Sequence, residues 1–222
     1  MKIKGIVCIC ATLLGITSCD KEEQRSLNKY WVSLATVYQT NPSGSFGVQF
    51  DNGSYAVANE TDFKVENGKR VILNYSILSD SINEQLLRKI RINNINEVDI
   101  KKIETLNASN QDNIGNDPVD IDEIWVGGNY LNVSFTYYGD KVKHLFSMVK
   151  NSLLPAAADG KTHLEFRQNA YNERYIIQNK DIISFDLKDY TSTLPTGNIQ
   201  MVIEAKNYTG NVMRYELIYS KK

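Results

Sequence analysis

Apolar and polar residues alternate in short runs along the chain, and the runs are separated by glycine, asparagine and aspartate. Alternation on a period of two places successive side chains on opposite faces of a strand. It predicts strands over Tyr30–Tyr38, Phe46–Phe50, Ser54–Ala58 and Arg70–Leu78. Leu86–Ile95 and Val98–Ile103 read as one long strand with a break or as two short ones. Asn41-Pro42-Ser43-Gly44, Asp51-Asn52-Gly53 and Glu66-Asn67-Gly68 supply turns, the second with strong hairpin character. Only Ser81–Lys89 has the pattern for a helical turn or two.

Residues 107–118 interrupt this series. They are rich in Asn, Asp and Gly, carry no large apolar side chain apart from Ile114, and end in Asn116-Asp117-Pro118. They read as a linker. Strand patterns then resume over Ile121–Val126, Tyr130–Tyr138, Val142–Lys150, His163–Gln168, Asp181–Leu187, Ile199–Lys206 and Val212–Tyr219. Within these, Leu131, Val133, Phe135 and Tyr137 share one face opposite Asn132, Ser134 and Thr136, and Met213, Tyr215, Leu217 and Tyr219 share another. The expected fold is all-β. Five or six short strands over 28–106 suit a small closed barrel of the OB type. Seven strands at regular spacing over 119–222 suit an antiparallel β-sandwich.

The amino terminus departs from alternation altogether. Lys2 and Lys4 precede an uncharged, mainly apolar run of twelve residues, Gly5–Ile16, too short to cross a bilayer as a helix. Ile16-Thr17-Ser18-Cys19 has the form of a bacterial lipobox, in which a thiol carries the diacylglycerol as a thioether and small neighbours admit the peptidase. Residues 1–18 are therefore read as a signal peptide, Cys19 as the lipidated residue, and 19–27 as a charged tether. Asp20, Glu22 and Glu23 resemble the acidic surface-export signals of Bacteroidota lipoproteins. The expected location is the outer membrane, lipid-anchored and exposed at the cell surface.

Cysteine count and charge narrow the function. Cys8 and Cys10 leave with the signal, so the mature chain keeps Cys19 alone and has no internal disulfide, thiol metal site or cysteine nucleophile. Losing Lys2 and Lys4 from 25 basic residues leaves 23 against 26 acidic ones, a net charge near −3. A phosphate-backbone binder would show a basic excess or stripe, so no nucleic-acid partner is expected.

Enzyme signatures are thin. His144 and His163 are the only histidines, and they would make a zinc or nucleophile–base site only if their strands met beside carboxylates. Glu165, Asp186 and Glu204 could be imagined as a glycosidase pair, but charge alternation on exposed faces accounts for them. Asp112-Asn113-Ile114-Gly115-Asn116-Asp117 has calcium-loop composition without EF-hand spacing or the closing glutamate, and reads as an Asx turn. No metal, cofactor or catalytic residue is assigned. Arg167, Gln168, Asn169 and Tyr171, leaving an aromatic strand, form a candidate interaction surface, weighed against simple structural pairing. Trp31 and Trp125 are expected to anchor the two cores. Asp80-Ser81-Ile82 resembles the O-glycosylation acceptor that Bacteroidota use on exported proteins, which marks Ser81.

Several longer strings resemble one family. Tyr30-Trp31-Val32-Ser33-Leu34-Ala35-Thr36-Val37, Val71-Ile72-Leu73-Asn74-Tyr75-Ser76-Ile77-Leu78, Ile114-Gly115-Asn116-Asp117-Pro118, Ile124-Trp125-Val126-Gly127-Gly128-Asn129-Tyr130-Leu131-Asn132-Val133, Leu164-Glu165-Phe166-Arg167-Gln168-Asn169-Ala170-Tyr171 and Ile183-Ser184-Phe185-Asp186-Leu187 are similar, in order, to the NigD-like lipoproteins of Bacteroidota. The resemblance implies an OB domain followed by a β-sandwich on a lipid-anchored envelope protein, and implies no catalytic residues. The expected function is binding of a protein or glycan partner. The alternative is an OB module for oligosaccharide, less so for single-stranded nucleic acid, and a glycan- or peptide-acting hydrolase comes third.

Overall fold

The structure, a computed structural model, describes residues 29–40, 44–58, 61–79, 87–174 and 176–222. Cys19, Asp20, Glu22, Glu23 and Ser81 lie outside the described residues.

The first five strands are β1 (Trp31–Tyr38), β2 (Phe46–Phe50), β3 (Tyr55–Ala58), β4 (Arg70–Ser79) and β5 (Leu87–Lys101). β1, β2 and β3 pair antiparallel in sequence, β4 pairs antiparallel with β1 and β5, and β3 closes on β5 in parallel. The ring β1-β2-β3-β5-β4 is a small closed barrel. Alternation drives it: Ala35, Val37, Val48, Val71, Leu73 and Ile90 point inward and are buried. The narrow bore accepts Ala56 and Ala58 where larger residues would not fit. The β2–β3 turn follows the sequence expectation, with Gly53 at φ +84°. At Gly47 the Tyr38 ring lies where a Cβ would stand, 2.6 Å away.

β5 decides how the rest is attached. Its first residues pair with β3, its middle with β4, and Asp99–Lys101 pair in parallel with β11 (Gln178–Asp186). A single strand of 15 residues thus leaves the barrel and enters the next layer. β6 (Ile103–Leu106), read from the sequence within the first block, pairs in parallel with β9 (Leu145–Asn151) and belongs to the second. Residues 107–118 are not a free linker either. They hold the short helix α1 (Gln111–Ile114), whose Ile114 is buried on Leu106 and Val149. The Asn-rich composition serves Asx turns, with Asn107 Oδ1 accepting from the Ser109 amide and Asn110 Oδ1 from the Asn107 amide.

The sandwich packs two sheets. One continues from β5 through β11 to β8 (Tyr130–Tyr138) and β7 (Asp120–Gly127). The other runs β13-β12-β10-β9-β6, with β10 (Thr162–Asn169), β12 (Gly197–Lys206) and β13 (Val212–Lys221). Antiparallel pairs predominate, but β10–β12, β6–β9 and β5–β11 are parallel, a mixture that strand counting did not anticipate. Between the sheets lie Leu131, Val133 and Phe135 of β8 with Phe146, Phe166 and Phe185. Phe135 packs against Phe146 and Phe166 at centroid distances of 4.5 and 5.1 Å. The helical turn α2 (Leu187–Tyr190) ends β11, with Asp186 as its N-cap.

The tryptophans do not anchor the cores as expected. Trp31 is 53% exposed at the barrel end. Trp125 is half-buried between barrel and sandwich. The apolar centres that they were expected to fill are already closed by Val, Ala and Leu in the barrel and by Phe in the sandwich.

Candidate functional site

Where β4 begins, the outer barrel face meets β8 and β11. Arg70 opens β4 directly after the Gly68 turn and is 1% exposed. Its guanidinium donates to both Asp51 oxygens (Nη1–Oδ1 2.6 Å, Nη2–Oδ2 3.0 Å). It also donates to Thr36 Oγ1 (3.2 Å), Asn132 Oδ1 (2.9 Å) and Ser184 Oγ (3.3 Å). The Tyr130 ring lies 4.5 Å from its Cζ, a cation–π contact. Asp51 accepts further from Asn132 Nδ2 (3.0 Å) and Trp125 Nε1 (3.4 Å), and Ser184 donates to Asn132 Oδ1 (2.7 Å). Every one of these polar groups is partnered, as a buried network must be. Arg70, Asp51 and Thr36 belong to the barrel, and Asn132, Ser184, Trp125 and Tyr130 to the sandwich. The network clasps the two together.

Beside the clasp runs a cleft of about 480 Å³. Leu34, Ile72 and Ile182 are among its apolar lining, with the aromatic rings of Tyr75 and Trp125, while Arg88 and Glu123 add charge. Ile72, Ser134 and Ile182 also line a neighbouring hollow of about 580 Å³ that reaches Glu97, Asp99 and Lys180. The two hollows share these residues and so adjoin along the barrel–sandwich seam, where the first forms an open groove. Sites of this kind favour domain interfaces and combine an apolar lining with a few placed polar groups. Burial raises the Tyr130 hydroxyl above its ordinary value despite the adjacent Arg70 charge, so the phenol stays neutral.

A second concavity, about 590 Å³, lies over β9, β10 and the Leu154–Ala157 loop. It holds the expected carboxylates Glu165 and Glu204, which sit side by side on β10 and β12. Several of its charges are already paired. Glu165 accepts from Arg167 Nε (2.6 Å) and Asn151 (2.8 Å), and His163 pairs with Asp159 (2.9 Å). Asp186 is engaged in capping α2 and does not line this concavity.

The four candidate interaction residues divide. Gln168 is fully buried, Arg167 donates to the Gly115 carbonyl at 3.2 Å, and Asn169 holds the Asn113 carbonyl at 2.7 Å. Arg167 and Asn169 thus tie the α1 segment to the sandwich, Gln168 turns inward to His144, and Tyr171, 47% exposed, is left facing solvent. His144 and His163 are not brought together. His144 is buried with its Nδ1 2.6 Å from Gln168 Nε2 and its Nε2 2.9 Å from Glu173. Glu173 also accepts from the amides of Lys141 (2.6 Å), Asp140 (3.0 Å) and Val142 (3.1 Å). The Lys141 amide, with the other two and His144, holds its carboxyl at about 2. The pair staples the β8–β9 turn. Among the described residues no group of three His, Cys, Asp or Glu is placed to hold a metal.

Residues 102–219 match the NigD-like C-terminal beta sandwich domain. The chain belongs to the NigD-like family. Its two-part architecture recurs in a protein of unknown function from Bacteroides vulgatus, with 27% identity over 87% of this chain and 92% of that one and a TM-score of 0.73. A NigD-like immunity protein from Bacteroides caccae shares the fold at 19% identity over 86% of this chain and 97% of the other, with a TM-score of 0.67. So does a lipoprotein candidate from Bacteroides fragilis, at 14% identity over 87% and 99% and a TM-score of 0.63. Among curated proteins nothing matches the chain.

Proposed function

We propose that this NigD-like protein is anchored by lipid on Cys19 at the outer face of the outer membrane and works there as a binding module. Its recognition surface is the seam between barrel and sandwich. The observation that carries the reading is the open groove beside a fully paired clasp: the Arg70–Asp51 network fixes the walls, and Asp51 and Trp125, which also line the groove, are held in place by it. A site so built is shaped before its ligand arrives, which lowers the ordering cost of binding. The lipobox, the acidic tether and the lipoprotein candidate of like fold support the anchor and its location.

A second reading makes the ligand an oligosaccharide. Trp125 is half-buried and shares the groove lining with Ser33, Asn52, Ser54 and Glu123, which puts an aromatic side chain and short hydrogen-bonding groups in one concavity, as sugar rings require. The chain has two tryptophans, so a Trp31→Phe variant reports from Trp125 alone. Titration with neutral oligosaccharides should shift that emission saturably, and Trp125→Ala, followed by calorimetry, should abolish the heat of binding. Flat titrations across neutral and charged glycans would reject the sugar reading and leave a protein partner. For the anchor, palmitate labelling should disappear in Cys19→Ala, and protease should shave the wild type from intact cells. A protected but labelled wild type would place the protein on the inner leaflet and overturn the surface assignment.

A further inference from the structure

Four large apolar side chains stand exposed at one end of the barrel: Tyr30 at 68%, Trp31 at 53%, Val32 at 56% and Leu78 at 46%. They lie where β1 begins and β4 ends, neighbouring strands in which Trp31 pairs with Tyr75 and Val32 with Asn74. At the same end β5 presents Arg91 opposite Ser76 and Lys89 opposite Ser79, with Arg88 beside Lys89. Lys29 directly precedes Tyr30. All four cations are exposed, and none has an ion-pair partner among the described residues. Elsewhere Lys69, Lys102, Lys161, Arg167 and Lys180 each face a carboxylate. Lys141 and Lys143, exposed on either side of exposed Val142, likewise have no ion-pair partner among the described residues, so what sets the barrel end apart is an exposed Trp and Tyr together beside four such cations, on a mature chain whose balance is acidic.

Exposed Trp and Tyr beside exposed Lys and Arg suit one environment in particular. Amphipathic rings settle at the headgroup level of a bilayer, and basic side chains are drawn to anionic headgroups. Position decides the occupant. Ten residues separate Cys19 from Tyr30, and the eleven steps between them span at most about 40 Å however they are arranged. A lipid on Cys19 thus keeps this barrel end within reach of the membrane that holds the lipid. We infer that the barrel end bearing Tyr30, Trp31, Leu78, Lys89 and Arg91 docks on the anionic headgroups of that membrane. This rests on the lipid attachment proposed above. Val32 and Arg88 belong both to this end and to the groove, so docking sets which end of the groove faces the membrane and which faces outward. Single-stranded nucleic acid also uses stacked aromatics and cations, but proximity to the anchor favours the bilayer.

The test uses the chain from Cys19 onward, which keeps every described residue. Its only thiol is coupled to a maleimide lipid, so the anchor is present whether or not cells attach one. With Trp125→Phe, Trp31 is the sole tryptophan. On phosphatidylcholine vesicles containing phosphatidylglycerol, brominated acyl chains should quench Trp31 and iodide should lose access to it. Trp125, observed in Trp31→Phe, should stay unquenched. Lys89→Gln with Arg91→Gln should lower the docking constant about 25-fold, near fivefold per charge, and high salt should do the same to the unmodified chain. An unquenched, iodide-accessible Trp31 on anionic vesicles would overturn the inference. So would quenching indifferent to both charge and salt, or binding of a single-stranded oligonucleotide by these residues without lipid quenching. Failure of Cys19 labelling in cells would instead refute the anchor and leave the vesicle result intact.

Discussion

Removing Asp51 should expose how much the clasp contributes. In Asp51→Ala, Arg70 keeps Thr36, Asn132 and Ser184 as neutral acceptors but loses its counter-charge while only 1% exposed. Truncating one partner of a buried ion pair costs about 3–5 kcal/mol, since the other charge is left uncompensated. Asp51 itself is 15% exposed, so water can reach the vacated side, and the lower end, about 3 kcal/mol, applies. At roughly 2–4 °C per kcal/mol for a chain of this size, Tm should fall by about 6–12 °C. Urea melts read separately from Trp31 in the barrel and Trp125 in the sandwich should both move to lower midpoints, because the network joins the two. Adding Arg70→Met removes the stranded charge, so the double variant should be less destabilised than the sum of the singles by ~1–3 kcal/mol. A loss below about 1 kcal/mol in Asp51→Ala, the range of an exposed pair, would refute the reasoning: Arg70 would then be re-solvated and the clasp no more than a surface contact.

Three further outcomes follow from single residues. Gly127→Ala would put a Cβ 2.2 Å from Asp51 Oδ2, so calorimetry should show about 1–3 kcal/mol lost, whereas Gly128→Asn, with open space and φ +58°, should be near neutral. Glu173 has its carboxyl held from 4.5 to about 2 by amide and His144 hydrogen bonds. A depressed folded value means that its contribution is complete above about pH 4.5 and is lost as pH falls toward 2. Urea midpoints of the wild type should therefore decline across that window more steeply than those of Glu173→Gln, and parallel profiles would count against the staple. Ile114→Ala should cost about 2 kcal/mol, the low end for a buried aliphatic because α1 can settle, and should speed amide exchange through 107–115 before it affects β8.

Much of the fold was legible because alternation and turn chemistry agree with each other. Phe46-Gly47-Val48-Gln49-Phe50 followed by Asp51-Asn52-Gly53 specifies strand and hairpin within eight residues, and both are present. Sheet order was not legible, since nothing local makes β10 run parallel to β12 across two intervening elements. Gln168 was legible and misread. It is two residues from Phe166 and four from Leu164, so the period of two places it inward with them, whereas grouping it by polarity with Arg167 and Asn169 placed it outward. Burial of its amide follows from the period; His144 partners its Nε2, while the buried Oε1 has no partner among the described residues.

The clasp escaped the sequence for a different reason. Asn132, Ser134 and Thr136 mark the face of β8 opposite the apolar one, and alternation says that this face is polar, not that it meets water. Asn132 is fully buried there because the barrel covers it, through partners 62 and 81 residues away. The paired glycines at the end of β7 show the same limit. Gly127-Gly128-Asn129 reads as a turn, which explains Gly128, whose positive φ other residues resist. Gly127 has no such need. It is small because the Asp51 carboxylate occupies the place of its side chain, and that approach is what brings Asp51 to Arg70, Asn132 and the Trp125 indole together. The clasp therefore depends on the second kind of glycine, whose neighbour lies 76 residues earlier in the chain, and no local pattern can distinguish it from the first.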